Sequence, residues 1–94
     1  MSKTTSEASS REFQHLLSKA RQVIEGSQAT WEAQSTGERL AIAIVLNRWH
    51  WLKAMNFSIA EAMDRIGPSW CAVIPDVAKL IAFELDQAEI DRLL

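Results

Sequence analysis

The sequence predicts an all-α protein: a compact bundle of four to five helices around a central helix at about Ser35 to Met55, with a short helical hairpin at Ser58 to Ile74. Three observations predict this class. Four times in 94 residues a Ser or Asp is followed three positions later by a Glu, the spacing of a helix capping box. Apolar residues recur at intervals of three and four. Only three Gly and two Pro are present, so few β-turns can form. The four pairs are Ser9 and Glu12, Ser35 and Glu38, Ser58 and Glu61, and Asp86 and Glu89.

The composition is that of a folded domain, with 48% hydrophobic and 23% charged residues. The net charge of −2 provides no overall attraction to nucleic acid or to an anionic membrane. The single Cys71 excludes an internal disulfide, and Met1 to Ser10 lacks the pattern of a secretory signal, so we expect a cytoplasmic protein. The longest apolar run, Leu40 to Leu46, is far shorter than the ~20 residues that cross a bilayer, so we expect no membrane insertion.

The chain is predicted to begin with a disordered tail, residues 1 to 8, and to continue as a single helical domain, residues 9 to 94. The tail is rich in Ser and Thr and has little apolar surface to bury. The first helix is expected from Ser9 to Glu25, because apolar residues recur along one face. Gly26 is expected to end this helix in a left-handed conformation.

The middle of the chain is the most apolar part. Ser27 to Gln34 is expected to form one helical turn or an ordered connection, with Trp31 filling a gap between larger helices. The central helix is expected to run from Ser35 to Met55 and to end at Asn56. The central helix has two apolar arcs, so other helices must pack against it on both sides. We expect the first and the last helix to pack against these opposite sides. The arcs consist of Leu40, Ala41, Ile44, Val45, Trp51, Leu52 and Met55, and of Ile42, Leu46 and Trp49.

Three further helices are predicted beyond Asn56. The first, Ser58 to Ile66, is expected to end at Gly67, and Pro68 suits the first position of a short helix up to Ile74. Pro75 is expected to break or kink it.

The last helix, from Asp76 toward Leu94, has two apolar sides, which is more surface than one partner helix covers. Asp86 marks either a helix start or a bend within it. One side carries Val77, Ile81, Leu85 and Ala88, and the other carries Leu80, Phe83, Ile90 and Leu94.

Residues for catalysis are not evident. His15, His50 and Cys71 are far apart in the sequence, so no metal site is predicted. Cys71 has no neighbouring base that would stabilise a thiolate and is interpreted as a core residue. We therefore expect no enzyme, no catalytic or cofactor-binding residues and no small-molecule substrate. An enzyme or a small-ligand carrier would require a pocket lined by Arg48 and the tryptophans.

The segment Ser58 to Val73 resembles the helix-turn-helix of excisionase-like and MerR-like DNA-binding proteins. Ala62 is the small residue within the first helix, Gly67 lies at the turn, and Ser69 begins the second helix. The resemblance covers about a sixth of the chain and implies DNA contacts from residues on or beside the hairpin. These DNA-contact candidates are Arg65, Ser69 and Lys79.

The chain departs from this pattern where DNA would be read. Pro68 replaces the hydrophobic residue that follows the glycine, and Pro75 interrupts the recognition helix. The recognition positions carry Trp70, Cys71 and Ala72, none of which forms a bidentate contact with a base edge. We therefore expect no nucleic-acid partner and keep a degenerate helix-turn-helix regulator as the alternative function.

Arg48 and the tryptophans are the candidate interface residues. Trp49 and Trp51 are two positions apart, so on one helix their side chains point roughly 160° apart and one of them is a candidate for exposure. Arg48 lies within an apolar arc and is predicted to pair with Glu84 or Asp91, within the chain or across a dimer. The interface candidates are Arg48, Trp49, Trp51, Trp31 and Trp70.

The excess apolar surface favours a protein partner, a second copy of the chain, or both, and a homodimer is expected. The sequence therefore predicts a small non-enzymatic protein-interaction module, an adaptor or inhibitor that acts by occupying another protein's surface. A compact acidic protein of this kind would fit an accessory protein of a bacterium.

Overall fold

Six helices and no strand make up residues 3–94, the part of the chain that the computed structural model describes; side chains are described from Ser10 onward. The prediction of an all-α bundle is confirmed. The helices are α1 (Lys3–Glu25), α2 (Gln28–Glu32), α3 (Thr36–Val45), α4 (Trp49–Ala54), α5 (Ile59–Ile66) and α6 (Pro68–Leu93).

The first helix begins earlier than its capping signal suggests. Because α1 starts at Lys3, Ser9 lies inside the helix and the prediction of a start at Ser9 is wrong. Met1 and Ser2 lie outside the described residues, and the disorder of residues 1 to 8 stays a prediction. Gly26 follows α1 as expected but without a positive φ. A Cβ there would collide with the Thr30 side chain, so close approach explains this glycine.

Two of the four predicted capping boxes are confirmed. The Ser35 hydroxyl accepts from the Glu38 N–H at 3.3 Å, and Glu38 accepts from the Ser35 N–H at 3.1 Å. The same reciprocal bonds begin α5 at Ser58. An unpredicted box with Thr in place of Glu begins α2 at Ser27. The predicted start or bend at Asp86 is wrong as a start, because Asp86 lies inside the continuous α6.

The predicted central helix is divided in two, and the prediction of one helix from Ser35 to Met55 is wrong. Asn47 adopts a left-handed conformation with φ 57°. The Arg48 N–H donates to the Ala43 carbonyl at 2.8 Å, and the Asn47 N–H donates to the Ile44 carbonyl at 3.1 Å. This is the hydrogen-bond pattern of a Schellman motif, and Asn is one of the few residues that adopt its left-handed position readily. The chain therefore ends α3 and begins α4 in a new direction.

Asn56 ends α4 in the same way, which confirms its predicted role. Its φ is 63°, and the Phe57 N–H donates to the Leu52 carbonyl at 3.0 Å. The two asparagines thus act as matched helix stops around a helix of six residues.

The C-terminal third is a hairpin of α5 and α6. Gly67 ends α5 with φ 92°, a conformation that disfavours any side chain, and Pro68 occupies the first turn of α6. Pro75 lies inside α6 without ending it, so the two predicted C-terminal helices are one. Val73, Ile74 and Val77 are buried on both sides of Pro75, and their packing offsets the lost backbone hydrogen bond.

The core surrounds α3, which contacts all five other helices. α1 and α6 share the most extensive helix–helix contact and run in the same direction, so they do not lie on opposite sides of the central segment as predicted. The most deeply buried large side chains are Leu16, Leu40, Ile42 and Val77.

The left-handed turn at Asn47 predicts a specific pattern of substitution effects. Asn47→Gly keeps the turn and should change the free energy of unfolding little, whereas Asn47→Val should lower it by roughly 1–2 kcal/mol because a β-branched residue is strained there. Urea denaturation measures both. Leu46→Val, at the preceding position with negative φ, is the control. Equal losses for Gly and Val at position 47 would contradict the turn.

Candidate functional site

Trp31 and Trp51 form a stacked pair that links α2 to α4. Their ring centroids are 4.4 Å apart at 27°, and only 3% and 7% of their surfaces are exposed. The Trp31 Nε1–H donates to the Arg39 carbonyl at 2.9 Å. The Arg39 guanidinium lies 5.7 Å from the Trp31 ring, and that of Arg48 lies 5.6 Å from the Trp51 ring. Trp31 fills a gap between larger helices as predicted. Because Trp31 and Trp51 are buried, neither is exposed to contact a partner protein.

The other two tryptophans, Trp49 and Trp70, are more exposed than this pair. Trp49 is 43% exposed, which makes it the tryptophan most available to a partner. Trp70 is half-buried, with its ring edge-on to His15 at 5.3 Å. Trp49 and Trp51 both lie on α4 and, as expected from their two-residue separation on a helix, face different surroundings.

Arg48 does not pair with Glu84 or Asp91 within the chain, so that part of the prediction is wrong. Glu84 is instead held by Arg21 of α1, through Nε at 3.1 Å and through a second, shorter contact from Nη2. The hydrogen bond from Arg21 lowers the pKa of Glu84. Sequence reasoning missed Arg21 because nothing local indicates that α1 and α6 run side by side.

His15 of α1 meets the capping carboxylate at the start of α3. The distance from His15 Nε2 to Glu38 Oε2 is 2.6 Å, while Glu38 Oε1 accepts from the Ser35 backbone. The hydrogen bond with His15 is the main cause that lowers the pKa of Glu38, and the capping contacts add to it. One carboxylate therefore both caps α3 and connects it to α1.

The outer side of α6 carries exposed apolar residues, which we name the α6 stripe: Phe83, Ile90 and Leu94. They are 61%, 49% and 98% exposed and lie within roughly 40° of one another around the helix. The inward side holds the buried Val77 and Ile81. No residue from 82 to 94 is buried. Of the second apolar side predicted for this helix, Leu80 packs half-buried against the core, while Phe83, Ile90 and Leu94 are uncovered.

Acidic residues flank the α6 stripe. Asp86 lies on one side of it and Asp91 on the other, and both are exposed. Glu84 is neutralised by Arg21, and Arg92 lies 3.7 Å from Glu89 on the far side of the helix. The two aspartates therefore give the surroundings of the stripe a negative charge.

A groove of about 580 Å³ lies where α1, the α3–α4 turn and α6 meet, and we name it the junction groove. Its apolar walls come from all three parts of the chain, and Arg48 and Trp51 line it. A ligand carrier is expected to need a pocket lined by Arg48 and the tryptophans, and this groove has Arg48 and one tryptophan. Its walls could not be assembled from sequence because they depend on the turn at Asn47. The apolar wall residues are Val23, Ile24, Val45, Leu46, Ala78, Ile81, Ala82 and Leu85.

The helix-turn-helix candidates all face solvent. Arg65, Ser69 and Lys79 are exposed, at the end of α5 and along α6. Cys71 is half-buried, and its Sγ lies 3.4 Å from the Met63 carbonyl oxygen. α5 and α6 meet at a bend of 114°.

Within residues 3–94 no group of three or more His, Cys, Asp and Glu is placed to hold a metal ion. No single helix there is long and apolar enough to cross a membrane; α5 and α6 together meet the length and composition test across their bend.

Comparison with known proteins gives no match: no protein-family model, curated protein or solved structure is significantly similar to this chain.

The lowered pKa of Glu38 predicts a loss of stability in acid. Because its pKa is lower in the folded than in the unfolded chain, its contribution is complete above the unfolded pKa and is lost as pH falls through the folded pKa. Glu38→Gln keeps a capping side chain and removes the charge. Urea denaturation between pH 7 and pH 3 should show a weaker pH dependence for this variant than for the wild type. Glu12→Gln on α1 is the control, and equal slopes for Glu38→Gln and the wild type would contradict the role of Glu38.

Proposed function

We propose that the protein is a non-enzymatic protein-interaction module that binds an amphipathic helix of another protein along the α6 stripe. The observation that carries this proposal is the uncovered outer side of α6, where Phe83, Ile90 and Leu94 are about half exposed or more. Burying one such side chain completely is worth about 1.5–3 kcal/mol. An aromatic residue within the stripe is typical of the residues that dominate binding energy.

The spacing of the stripe fits a helical partner. Leu80, Phe83, Gln87, Ile90 and Leu94 follow one another at alternating intervals of three and four residues. This is the a/d spacing with which two helices pack side by side, and a polar residue at one such position restricts the register. A partner helix with the same spacing would cover the stripe over about two heptads.

The charge beside the stripe indicates the chemistry of the partner. Asp86 and Asp91 lie where a partner helix would place its flanking residues. A partner with Lys or Arg at those positions gains attraction, whereas a second copy aligned along the same stripe brings the same two aspartates close together. We therefore propose a basic amphipathic helix as the occupant. The homodimer expected from the sequence stays a prediction.

In this proposal the protein acts as an adaptor or inhibitor by occupying its partner's surface. The cytoplasmic location and the bacterial accessory role expected from the sequence belong to the same proposal. Trp49, together with Ile59 and Met63 of α5, forms a second exposed apolar region, which serves as an internal comparison.

A designed peptide tests the stripe directly. The probe is an amphipathic helix with Leu at its a and d positions and Lys at its flanks, and the matched control has Glu at the flanks. In calorimetric titration the Lys peptide should bind at least about tenfold more tightly than the Glu peptide. The double variant Phe83→Ser with Ile90→Ser should remove binding, whereas Ile59→Ser with Met63→Ser on α5 should retain it.

Equal binding of the two peptides, or equal loss in the α5 variant, would contradict the proposal. Light scattering supplies a second readout. A mass of two chains that falls to one chain in the Phe83→Ser, Ile90→Ser variant would assign the stripe to a second copy instead.

The hairpin geometry favours one alternative, a degenerate helix-turn-helix regulator. A bend of 114° lies within the ~90–120° range of such motifs. Along the outer side of α6, however, Ser69 and Lys79 are separated by Ala72 and Asp76. That side has one base and one acid, so it provides little phosphate binding.

The DNA alternative predicts a salt-dependent affinity. We expect fluorescence anisotropy to detect no binding to mixed-sequence duplex DNA at physiological salt, because the outer side of α6 offers so few cations. Affinity that rises steeply at low salt and is lost in Arg65→Ala with Lys79→Ala, but not in Lys53→Ala with Arg92→Ala, would favour the regulator over the interaction module.

A further inference from the structure

The junction groove has the dimensions and the lining of a site for a small molecule. Its volume of about 580 Å³ falls within the ~300–1,000 Å³ of typical ligand pockets. The apolar walls face one another across it: Ile24 from α1, Val45 from α3, and Ile81 with Leu85 from α6. A ligand with an apolar body would be covered on three sides.

The charge of the groove is opposite to that of the molecule. The protein has a net charge of −2, yet among the described side chains, residues 10–94, no Asp or Glu lines the groove and Arg48 is the only lining residue with a permanent charge. The remaining polar groups are neutral hydrogen-bonding side chains and the imidazole of His50. Such a lining selects against a cation and favours an anion.

The Arg48 guanidinium is available for a ligand. It lies over the Trp51 ring at 5.6 Å, and no ion pair or side-chain hydrogen bond of Arg48 occurs within residues 10–94. The contact with Trp51 holds the planar group beside the groove, and its fork of N–H donors matches the two oxygens of a carboxylate. Glu84, one of the two predicted partners of Arg48, is instead bound by Arg21.

We propose that the junction groove binds a small amphipathic anion, an alkyl or aryl carboxylate, with its carboxylate on Arg48 and its apolar body between α1, α3 and α6. The site is separate from the α6 stripe, so this proposal does not depend on the proposed interaction function. A free C-terminal carboxylate of a peptide is a different class of ligand and serves as an outcome of the test.

Three probes of equal chain length separate charge from apolar contact: decanoate, decan-1-ol and decyltrimethylammonium. The two ionic probes are titrated below their micelle concentrations and decan-1-ol below its solubility limit, with calorimetry for affinity and amide chemical shifts for location. Decanoate should bind up to about fivefold more tightly than decan-1-ol, as expected for an exposed charge pair, and the cation should bind least. The shifts should map to the α3–α4 turn and to α6 around Ala82.

Two substitutions test the assignment. Arg48→Gln should remove the preference for decanoate and leave the affinity for decan-1-ol unchanged, with Arg11→Gln as the control. Ala82→Trp, which places an indole in the groove, should abolish binding of both probes, whereas Ala88→Trp on the exposed part of α6 should not. Wild-type shifts elsewhere, equal affinities for decanoate and decan-1-ol, or no effect of Arg48→Gln would overturn the proposal. A peptide carboxylate that competes with decanoate at more than tenfold higher affinity would overturn the small-molecule assignment.

Discussion

The turn at Asn47 is the constraint on which the rest of the structure depends. A single helix from Ser35 to Met55 would be apolar nearly all round, and one small domain could not cover it. By ending α3 in a left-handed residue, the chain starts α4 in a new direction and sets Trp51 against Trp31. The same turn leaves Trp49 partly exposed. The excess apolar surface of the middle segment is thereby largely buried within the chain.

The structure moves the expected binding surface for a partner from the central segment to α6. Sequence reasoning attributes the need for a partner to the central segment, whereas most of the exposed large apolar side chains lie between Phe83 and Leu94. Three successive residues of α6 belong to three different features of the structure. Phe83 belongs to the stripe, Glu84 is held by Arg21, and Leu85 lines the junction groove. The ion pair fixes α6 against α1 between its two exposed surfaces.

The sequence predicts the elements whose signals are local. The starts at Ser35 and Ser58 and the stops at Asn56 and Gly67 depend on hydrogen bonds or dihedral angles within a few residues, and each is confirmed. The same capping spacing at Ser9 and Asp86 lies inside helices. Asp86 occupies a helix interior with its side chain exposed to solvent. Asn47 is missed because apolar residues continue on both sides of it. Pro75 fails to end α6 because tertiary packing on both sides outweighs one lost hydrogen bond.

The candidate sites were predictable to different degrees. The two sides of α6 follow from helical periodicity alone, so the stripe is visible in the sequence. The junction groove combines residues from the end of α1, the turn after α3 and the middle of α6, which no spacing rule connects. The pairing expected for Arg48 within the chain is absent, and one of its two expected partners, Glu84, binds Arg21 instead. Long-range pairings of this kind are set by the relative direction of α1 and α6, which the sequence does not encode locally.

Acrylamide quenching of tryptophan fluorescence tests the orientation of α4 after the Asn47 turn most directly. Because α4 buries Trp51 and exposes Trp49, Trp49→Phe removes most of the readily quenched emission, while Trp51→Phe leaves that component in place. The opposite pattern, or a quenched fraction shared equally by both indoles, would contradict the orientation that the turn gives α4.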